Sequence, residues 1–454
     1  MKSMTVDQLT WKQWRWILLW LVQIVMIAAV WLFSSGKLIG TGYVPTLIAF
    51  ARLAGLLAAF TVLTQVVLVS RVTFIERDFG LDRLTRIHRW NGFAALVLVL
   101  IHVPTLILAY STVYGVQPPE VLPLFFQNFE DTLQAFIAEI LLVIVAASSL
   151  VVARKKLRYE WWYAIHLLTY LVVLFSFGHQ IDNGRELAKI EWFRTYWIAL
   201  YGLVFLLVVY YRFARQLILY KQQDFRVARI VEEASGIHSV YMRGKNIRNF
   251  HYTAGQFGKF RFLAKGFWLQ EHPFSFSIEP NSDELRISVK TLGDFTANIA
   301  QLPENTRVIV DGPYGRFTTE RITQKRAVFI AGVIGITPIR SMLGALAEAG
   351  AKEKVWLFYS TKASSERVFE KELARISRDI DLTLRNVVQE DPKKQDIGGM
   401  ISVGVLKKEL KNLDSTDFYI CGPPGMMRAI KAQLLDADVA PVNVHTEEFS
   451  LVKS

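Results

Sequence analysis

The stretch HRWNGFAALVLVLIHVPTLILAY, residues 88–110, is apolar and long enough to cross a membrane as a helix, and it carries two histidines. His88 and His102 are fourteen residues apart, about 3.9 helical turns, so both lie on one face roughly 20 Å apart. A second apolar stretch, residues 159–179, carries His166 and His179 thirteen residues apart. Thirteen residues rotate the second histidine off the face of the first, so we expect this helix to deform at residues 176–178.

These four histidines predict two stacked haems. His88 and His166 lie near one boundary of the predicted helices, whereas His102 and His179 lie deeper, toward the other boundary. Two axial imidazoles give a low-spin haem iron that is suited to electron transfer. A single histidine inside a membrane is more typical of a hydrogen bond between helices. Ionisable side chains are costly in lipid and usually functional, so four at matched depths favour haem ligation over that alternative.

The rest of the sequence divides into a membrane half and a globular half. With 454 residues and 52% hydrophobic content, the chain is too apolar for an ordinary soluble protein. Nearly all of its long apolar runs come before residue 213. Six runs can each cross a membrane: 14–34, 43–70, 88–110, 129–152, 159–179 and 193–213. We therefore expect a six-helix all-α bundle in the lipid bilayer, followed by water-soluble domains.

Basic residues predict the orientation of these helices. The formal net charge is +12, but lysines and arginines collect beside the ends of apolar segments, where they set topology and meet anionic lipids rather than nucleic acid. One side of the membrane carries Lys2, Lys12, Arg15, Arg71, Arg77, Arg83, Arg86, Arg89, Arg154, Lys155, Lys156 and Arg158. That side is cytoplasmic by the positive-inside rule. We expect a multi-pass protein of the plasma (cytoplasmic) membrane with both termini in the cytoplasm.

Cysteine content and two charges inside the spans limit the chemistry. The single cysteine, Cys421, excludes a disulfide within the chain and any iron–sulfur or zinc site built on cysteines, so a metal must be held by histidine. Arg52 and Glu139 lie in the second and fourth spans, at the depth of the outer histidines. Two interpretations of Arg52 stay open. It pairs with a haem propionate or helps to bind an electron acceptor, or it forms an ion pair with Glu139.

The globular half predicts two domains. Short alternating strands at 225–231, 238–242, 257–262, 285–289 and 307–310 indicate a small antiparallel β-barrel. From residue 326 onward, strands alternate with helices, which predicts an α/β domain with a parallel sheet and crossover helices. We place the boundaries of the three domains at 1–222, 223–322 and 323–454.

Two motifs in the predicted barrel suit a flavin. HPFS, residues 272–275, places an aromatic ring beside a hydroxyl group, which can stack on and hydrogen-bond to an isoalloxazine ring. GDFT, residues 293–296, puts a glycine and backbone amides at the start of a helix, where a pyrophosphate is stabilised. Either motif alone is a weak indication.

Two motifs in the predicted parallel sheet suit a nucleotide. AGVIGITP, residues 331–338, follows a strand and precedes a helix, which is the context of a dinucleotide phosphate loop. A plain strand-to-helix turn is the alternative. CGPPGM, residues 421–426, places the only thiol at the carboxyl end of a strand, where ligands of such sheets bind. A buried structural cysteine is the alternative there.

The paired histidines and these four motifs in this order, with Glu447-Glu448-Phe449 after them, resemble the NADPH oxidase and ferric reductase superfamily over nearly the whole chain. The resemblance implies a ferredoxin-NADP reductase-type cytoplasmic part and the cofactors FAD, NADPH and two b-type haems. His88 and His166 would bind the inner haem, and His102 and His179 the outer haem. FAD would contact His272, Pro273, Phe274, Ser275, Lys290, Gly293, Asp294, Phe295 and Thr296. The nicotinamide nucleotide would contact Gly332, Gly335, Ile336, Thr337, Pro338, Cys421, Gly422 and Pro423.

By the same resemblance, the chain is a flavohaem oxidoreductase. A hydride passes from NADPH to FAD, which then releases single electrons to haem. The leading hypothesis is an NADPH oxidase that reduces O2 to superoxide outside. A ferric or cupric reductase with the same wiring is the alternative, with a ferric chelate as acceptor. A nucleotide-sensing channel or transporter is a remote one. We expect no obligatory protein subunit.

Two further expectations concern the nucleotide. Lys362 and Arg367, with several hydroxyl groups between them, suit the 2′-phosphate of NADPH, and a solvated charge-rich loop is the alternative. Phe449 would stack on the flavin and yield to the nicotinamide, or else close the core beneath the last strand. Phe449, Cys421 and Arg52 are thus the candidate catalytic residues.

Overall fold

The structure is a computed structural model that describes residues 10–150, 156–157, 159–268, 270–410 and 412–447. The chain forms two compact units. One contains Thr10–Phe79 and Arg83–Phe213, and the other contains Gly80–Asp82 and the residues from Ala214 onward.

The first unit is helical, as predicted. Its helices are α1 (Trp11–Ser34), α2 (Tyr43–Val69), α3 (Thr73–Phe79), α4 (Leu81–Tyr114), α5 (Pro118–Asn128), α6 (Thr132–Ser149), α7 (Tyr159–Leu167), α8 (Thr169–Asn183), α9 (Arg185–Lys189) and α10 (Glu191–Val208). The first two residues of α4 belong to the other unit. Among the described residues, six helical segments are long and apolar enough to cross a membrane. This confirms the six predicted spans.

The fifth span bends at a different place from the predicted one. Residues 176–178 lie inside the continuous helix α8, so the expected deformation there is wrong. The break is at Leu168, whose amide donates to the carbonyl of Ile165 three residues back. The hydroxyl of Thr169 donates to the carbonyl of His166 at 2.7 Å. A turn with three residues per revolution, in place of 3.6, rotates the residues that follow it about the helix axis. The break therefore changes the direction of the His179 side chain relative to that of His166.

The second unit begins with an antiparallel β domain that follows α11 (Arg215–Gln223). Its strands and one short helix are β1 (Arg226–Ala234), β2 (Ile237–Arg243), β3 (Phe257–Phe262), β4 (His272–Ser275), β5 (Leu285–Lys290), α12 (Asp294–Ala297) and β6 (Val308–Tyr314). They form two sheets, in the orders β1-β2-β5 and β4-β3-β6. Isolated bridges join the sheets at Arg226–Arg307 and Phe276–Ile287. The aromatic side chains of Phe260, Phe262 and Phe276 fill the space between them.

The α/β domain follows. Its elements are β7 (Arg326–Gly332), α13 (Ile336–Glu348), β8 (Lys354–Thr361), α14 (Glu370–Asp379), β9 (Leu382–Val388), β10 (Ile397–Gly398), α15 (Val403–Glu409), β11 (Asp417–Cys421), α16 (Pro424–Asp436) and β12 (Val444–Thr446). All strands are parallel, in the order β10-β9-β8-β7-β11-β12. The order reverses between β7 and β11, which is where ligands of such sheets bind. The predicted fold class is confirmed over the described residues as six apolar helices, a β domain and a parallel α/β domain, and the strands of the β domain form two three-stranded sheets.

Candidate haem, flavin and nucleotide sites

The inner histidine pair has the spacing of two ligands on one metal. The ring centroids of His88, on α4, and His166, on α7, lie 5.9 Å apart with 55° between the ring planes. Imidazole nitrogens bind metals at about 2.0–2.1 Å, so two rings on opposite sides of one metal have centroids roughly 6 Å apart. The described residues contain no cluster of three or more histidine, cysteine, aspartate or glutamate side chains suited to a metal. A haem iron needs only two axial ligands, so this pair fits it.

Both histidines of α4 are oriented by carbonyl groups of α2. Nδ1 of His102 lies 2.7 Å from the carbonyl oxygen of Ala51, and Nδ1 of His88 lies 3.3 Å from that of Gln65. A carbonyl oxygen only accepts hydrogen bonds, so the proton is on Nδ1 in each ring. The lone pair on Nε2 is therefore available for a metal, which is the usual tautomer of a ligating histidine. The α2 backbone thus sets the tautomer of both rings, which leaves Nε2 of each free to bind a metal.

Glycines let α2 and α4 approach closely enough for these contacts. A β-carbon on Gly55 of α2 would lie 2.7 Å from the ring of His102. A β-carbon on Gly92 of α4 would lie 2.7 Å from the side-chain amide of Gln65. A larger residue at position 55 would press on the ring of His102, and one at position 92 would displace the side-chain amide of Gln65.

A serine on α6 orients His166. The hydroxyl of Ser149 donates its only hydrogen to the carbonyl of Val145 at 2.8 Å, so its oxygen can only accept from other groups. Nδ1 of His166 lies 3.4 Å from this oxygen, and Nε1 of Trp162 donates to it at 3.3 Å. The proton of His166 is therefore also on Nδ1, which leaves Nε2 for a metal.

His179 has a different partner. Its Nδ1 lies 3.3 Å from Nδ2 of Asn183, and the same amide nitrogen donates to the carbonyl of Glu130 at 2.5 Å. An amide nitrogen only donates, so this contact does not place a proton on Nδ1 of His179. His179 is the one histidine of the four whose free tautomer is not preset for Nε2 ligation.

His102 and His179 line one cavity in the membrane unit. It encloses about 1490 Å³ of space between protein atoms, including its open mouth. Arg52 and Glu139 line the same cavity. Two imidazoles on the lining of one cavity fit the ligand set of an outer haem.

Arg52 does not pair with Glu139, so the ion-pair interpretation is wrong for the described residues. Nη1 of Arg52 donates to the hydroxyl of Ser35 at 3.3 Å, and Ser35 donates to Glu186 at 2.5 Å. Oε2 of Glu139 is buried with no hydrogen-bond partner among the described side chains and backbone. Arg52 thus joins a chain of polar groups at the wall of the outer cavity.

The two flavin motifs come together in the β domain. The ring of His272, on β4, lies over the ring of Phe295, on α12, with 3.9 Å between centroids. The ring of Phe274 is stacked near Phe295 at 6.3 Å. Burial lowers the pKa of His272, against the opposing charge of Glu271, so the imidazole is neutral near pH 7. The motifs therefore form one aromatic surface beside the buried Ser275.

The threonine of GDFT closes the start of α12. Its hydroxyl oxygen accepts from the amides of Leu292 at 2.8 Å and Gly293 at 3.0 Å. These two amides are satisfied by Thr296 itself. Lys290, on the preceding strand, pairs with Glu366 of the α/β domain at 3.0 Å rather than standing open. The motif is thus held by its own side chains and by the neighbouring domain.

Glycines bring the two nucleotide motifs into contact. β7 and β11 are adjacent, with Ala331 opposite Cys421, so both turns lie at the carboxyl edge of the sheet. A β-carbon on Gly335 would collide with the carbonyl of Cys421, and one on Gly422 would lie 2.9 Å from Cα of Gly332. Val333, between the glycines, has a φ of 49°, which is strained for a β-branched residue. Such strain is typical of ligand sites.

The remaining residues of this edge are packed closely. Ile336 and Pro338 are buried, and the hydroxyl of Thr337 donates to the carbonyl of Ile334 at 3.0 Å. A β-carbon on Gly332 would lie 2.7 Å from Pro423. Cys421 is 1% exposed. Burial raises the pKa of its thiol, and the charge of Glu447 adds to the shift, so the group is a neutral thiol rather than a nucleophile.

Lys362 and Arg367 already have carboxylate partners. Nζ of Lys362 lies 3.1 Å from Glu390, with both side chains exposed. Arg367 is buried, and its guanidinium pairs with Asp396 at 2.9 Å and with Glu370 at 2.8 Å. The solvated-loop alternative is therefore wrong for Arg367, and only Lys362 is free to turn toward a ligand. Phe449 lies outside the described residues.

Several functional contacts were not visible in the sequence. The carbonyls of Ala51 and Gln65 belong to the main chain, which carries no residue-specific signal. Ser149 gave no signal either, because its role depends on which face of α6 meets α7. Nor did the sequence single out the buried Arg286 and Arg340, since Arg286 occupies one of the polar positions in the alternating stretch LRISVK on β5.

Three families match successive parts of the chain. Residues 54–177 match the ferric reductase like transmembrane component, residues 225–318 match an FAD-binding domain, and residues 329–432 match the oxidoreductase NAD-binding domain. The FAD-binding match contains both flavin motifs, and the NAD-binding match contains both nucleotide motifs. The transmembrane match contains His88, His102 and His166 and ends two residues before His179.

Known proteins are similar to the chain over different parts of its length. Dual oxidase 2 of Homo sapiens is 22% identical over 402 residues, which is 80% of this chain and 24% of that protein. A flavohemoprotein of Xylella fastidiosa is 29% identical over 203 residues, 44% of this chain and 51% of that protein. The chain thus spans about half the length of this flavohemoprotein and a smaller part of the dual oxidase. The crystal structure of flavohemoglobin from Malassezia yamatoensis covers 92% of this chain and 98% of its own, at 17% identity and a TM-score of 0.47.

Proposed function

Since the chain belongs to the NADPH oxidase and ferric reductase superfamily, we propose that it carries electrons from cytoplasmic NADPH through FAD and two b-type haems to O2 outside, releasing superoxide. The coarser activity, transmembrane electron transfer from NAD(P)H through FAD, follows from its three matched domains. One observation carries the haem part of the proposal. The four membrane histidines form two pairs at two depths, and three of them, His88, His102 and His166, keep the lone pair on Nε2 free.

Each half of the chain holds and orients cofactors, and the cofactors carry out the electron chemistry. FAD, when bound, converts a two-electron donor into a one-electron donor, and haem then carries single electrons. In this proposal His88 and His166 hold the inner haem, and His102 and His179 hold the outer one. Phe274 and Ser275 orient the flavin ring, and the turns at Gly332–Gly335 and Cys421–Pro423 hold the nucleotide.

Aromatic side chains on the lining of the outer cavity support O2 as the acceptor. Tyr110, Phe125 and Phe129 line the cavity, with 5.0 Å between the ring centroids of Tyr110 and Phe125 and 5.6 Å between those of Phe125 and Phe129. A small apolar gas meets this aromatic lining at little desolvation cost, whereas a charged ferric chelate would lose hydration against it. Arg52, which lines the same cavity, is placed to stabilise the negative charge that forms on reduced O2.

One preparation can separate the two acceptors. The purified full chain, loaded with FAD and haem, is given NADPH and either O2 or a ferric chelate without O2. Superoxide is read from cytochrome c reduction that superoxide dismutase abolishes, and ferrous iron from a ferrous-specific dye. We expect superoxide formation to be the faster process. A faster reduction of iron that does not depend on superoxide would instead identify a ferric reductase.

The arrangement in the membrane is also part of the proposal. In this proposal the protein lies in a plasma (cytoplasmic) membrane with both termini in the cytoplasm, which basic residues such as Arg83, Arg86 and Arg89 support, and its domains are 1–222, 223–322 and 323–454. Phe449, by resemblance to the family, covers the flavin and moves aside for the nicotinamide. A Phe449→Ser variant should then bind the nucleotide more tightly with an altered flavin spectrum. Lost stability at unchanged affinity would show that Phe449 only fills the core.

A further inference from the structure

Four charged side chains meet where the β domain packs against the α/β domain. Arg286 on β5 and Glu279, in the loop after β4, come from the β domain. Arg340 on α13 and Glu372 on α14 come from the α/β domain. Arg286 and Arg340 are each only 2% exposed. Their two positive charges are balanced by the two carboxylates, so the cluster is neutral as a whole.

Glu372 contacts both arginines, Arg286 across the boundary and Arg340 within the α/β domain. Nη1 and Nη2 of Arg286 donate to its two carboxylate oxygens at 2.7 Å and 3.0 Å. Nε of Arg340 donates to one of the same oxygens at 2.5 Å. Arg340 also pairs with Glu279, which returns the connection to the β domain. Each domain therefore contributes one cation and one anion, and each cation binds an anion of the other domain.

Neighbouring groups lock the same boundary. The guanidinium of Arg286 lies 4.6 Å from the ring centroid of Phe369, which has a φ of 63° just before α14. The hydroxyl of Ser341 donates to the carbonyl of Ile278 at 2.6 Å. Lys290, at the end of β5, pairs with Glu366. The strand β5 thus touches the segment between β8 and α14 at both of its ends.

The connection has a direct bearing on the two sites. β5 leads into GDFT, and the segment after β8 carries Lys362, the candidate contact of the nucleotide phosphate. Buried ion pairs contribute little net stability, because desolvation offsets their attraction, but their geometry is specific. A bidentate pair between rigid elements fixes distance and angle more than it holds the domains together.

We propose that Arg286, Glu279, Arg340 and Glu372 form an interdomain clasp that sets the position of the nucleotide site relative to the flavin site for hydride transfer. The four are positioning residues, since none of them belongs to the flavin or nucleotide motifs. The inference rests on the proposed function, in which the nicotinamide of NAD(P)H gives its hydride to FAD. It adds no chemical step to that transfer.

The test compares the clasp with a matched ion pair inside one domain. Arg385, on β9, makes a similar two-pronged contact with Glu409, on α15, at 2.8 Å and 3.1 Å, within the α/β domain alone. Glu372→Gln and Glu409→Gln each remove one carboxylate charge without changing side-chain size. Flavin reduction by saturating NADPH is followed by stopped flow in the full chain without O2. Melting temperature and nucleotide affinity are measured on the same samples.

We expect Glu372→Gln to slow flavin reduction about 10-fold with little change in nucleotide affinity, because small misplacements of reacting groups cost large rate factors. Glu409→Gln should keep the wild-type rate. Arg286→Lys should retain more of the rate than Arg286→Met. Unchanged reduction in Glu372→Gln, or equal loss in both glutamine variants in step with melting temperature, would overturn the clasp. Failure of the proposed function is distinct: neither NADPH nor NADH would then reduce the flavin of the wild type.

Discussion

The two units of this chain build their sites in opposite ways. In the membrane unit the proposed haem ligands are side chains, the four histidines, and the main chain of α2 orients two of them. In the globular unit the site surface is main chain, drawn together at Gly332, Gly335 and Gly422, and charged side chains join the domains around it. A membrane site should therefore fail when one side chain is lost. A globular site should fail when a β-carbon is added.

The largest expected effect is the loss of one haem from the membrane unit. His102→Leu or His179→Leu removes an axial ligand, so the haem content should fall from two to one per chain. Reduction of FAD by NADPH should persist, since hydride transfer lies in the other unit. Haem content and flavin reduction are measured on the same sample. Retention of two haems in either variant would contradict the ligand assignment.

Addition of a β-carbon at one glycine should disable the nucleotide site. In Gly335→Ala the new β-carbon meets the carbonyl of Cys421, so the turn must open and nucleotide binding should weaken about 100-fold, given the cost of small displacements. Gly425→Ala, in the same CGPPGM motif, is the matched control, because its β-carbon would have no heavy atom within 4 Å. Isothermal titration with oxidised nucleotide gives both affinities. Equal affinities of the Gly335→Ala and Gly425→Ala variants would contradict the claim that close main-chain contacts form this site.

A smaller effect should follow from removing the serine that orients His166. Ser149→Ala deletes the acceptor of Nδ1, and partners of metal-bound histidines typically account for 10- to 100-fold in metal affinity. We expect roughly 10-fold weaker retention of the inner haem, near the low end because the 3.4 Å contact is long. Ser148→Ala, whose hydroxyl contacts only the carbonyl of Val145, is the neighbouring control among the described contacts. Similar haem loss in both variants would speak against the role of Ser149.

The sequence predicted the depth of the four histidines in the membrane better than the direction in which the helices turn them. Spacing along a helix located all four histidines at two depths, and six apolar runs located the spans. It did not locate the break at Leu168, because the turn depends on the hydroxyl of Thr169 and on packing against neighbouring helices. Likewise the sequence showed Arg367 as a charge near a strand end, whereas its partner Asp396 lies 29 residues away. Partners of that kind depend on the tertiary fold.

Charge at the end of β8 should have a modest effect on nucleotide preference. Lys362 is exposed and can exchange Glu390 for a 2′-phosphate, whereas Arg367 is held by Asp396. Exposed ion pairs contribute up to about 1 kcal/mol, so Lys362→Ala should cut catalytic efficiency with NADPH about fivefold and with NADH much less. The ratio of the two efficiencies is the measurement. Equal efficiencies of both nucleotides in the wild type would remove the basis of this assignment.

The smallest expected effect is the pH dependence of the clasp. Burial by itself raises the pKa of Glu372, but hydrogen bonds and charge from Arg286 and Arg340 outweigh it and lower the pKa below the ordinary 4.5. A lowered pKa means that the ionised carboxylate stabilises the fold above about pH 4.5 and loses this contribution as pH falls through the folded value. The melting-temperature difference between wild type and Glu372→Gln should therefore shrink below pH 4.5. A difference that stays constant down to pH 3 would show that the charge is not involved.

The most direct test of the central claim is anaerobic reduction of the purified full chain by NADPH, followed by its absorption spectrum. The claim is that electrons pass from the nucleotide through FAD to two histidine-ligated haems in one polypeptide. We expect two haems per chain, both low-spin and both reduced by NADPH. A chain that holds FAD and reduces it with NADPH, yet carries fewer than two haems or leaves them oxidised, would contradict the account.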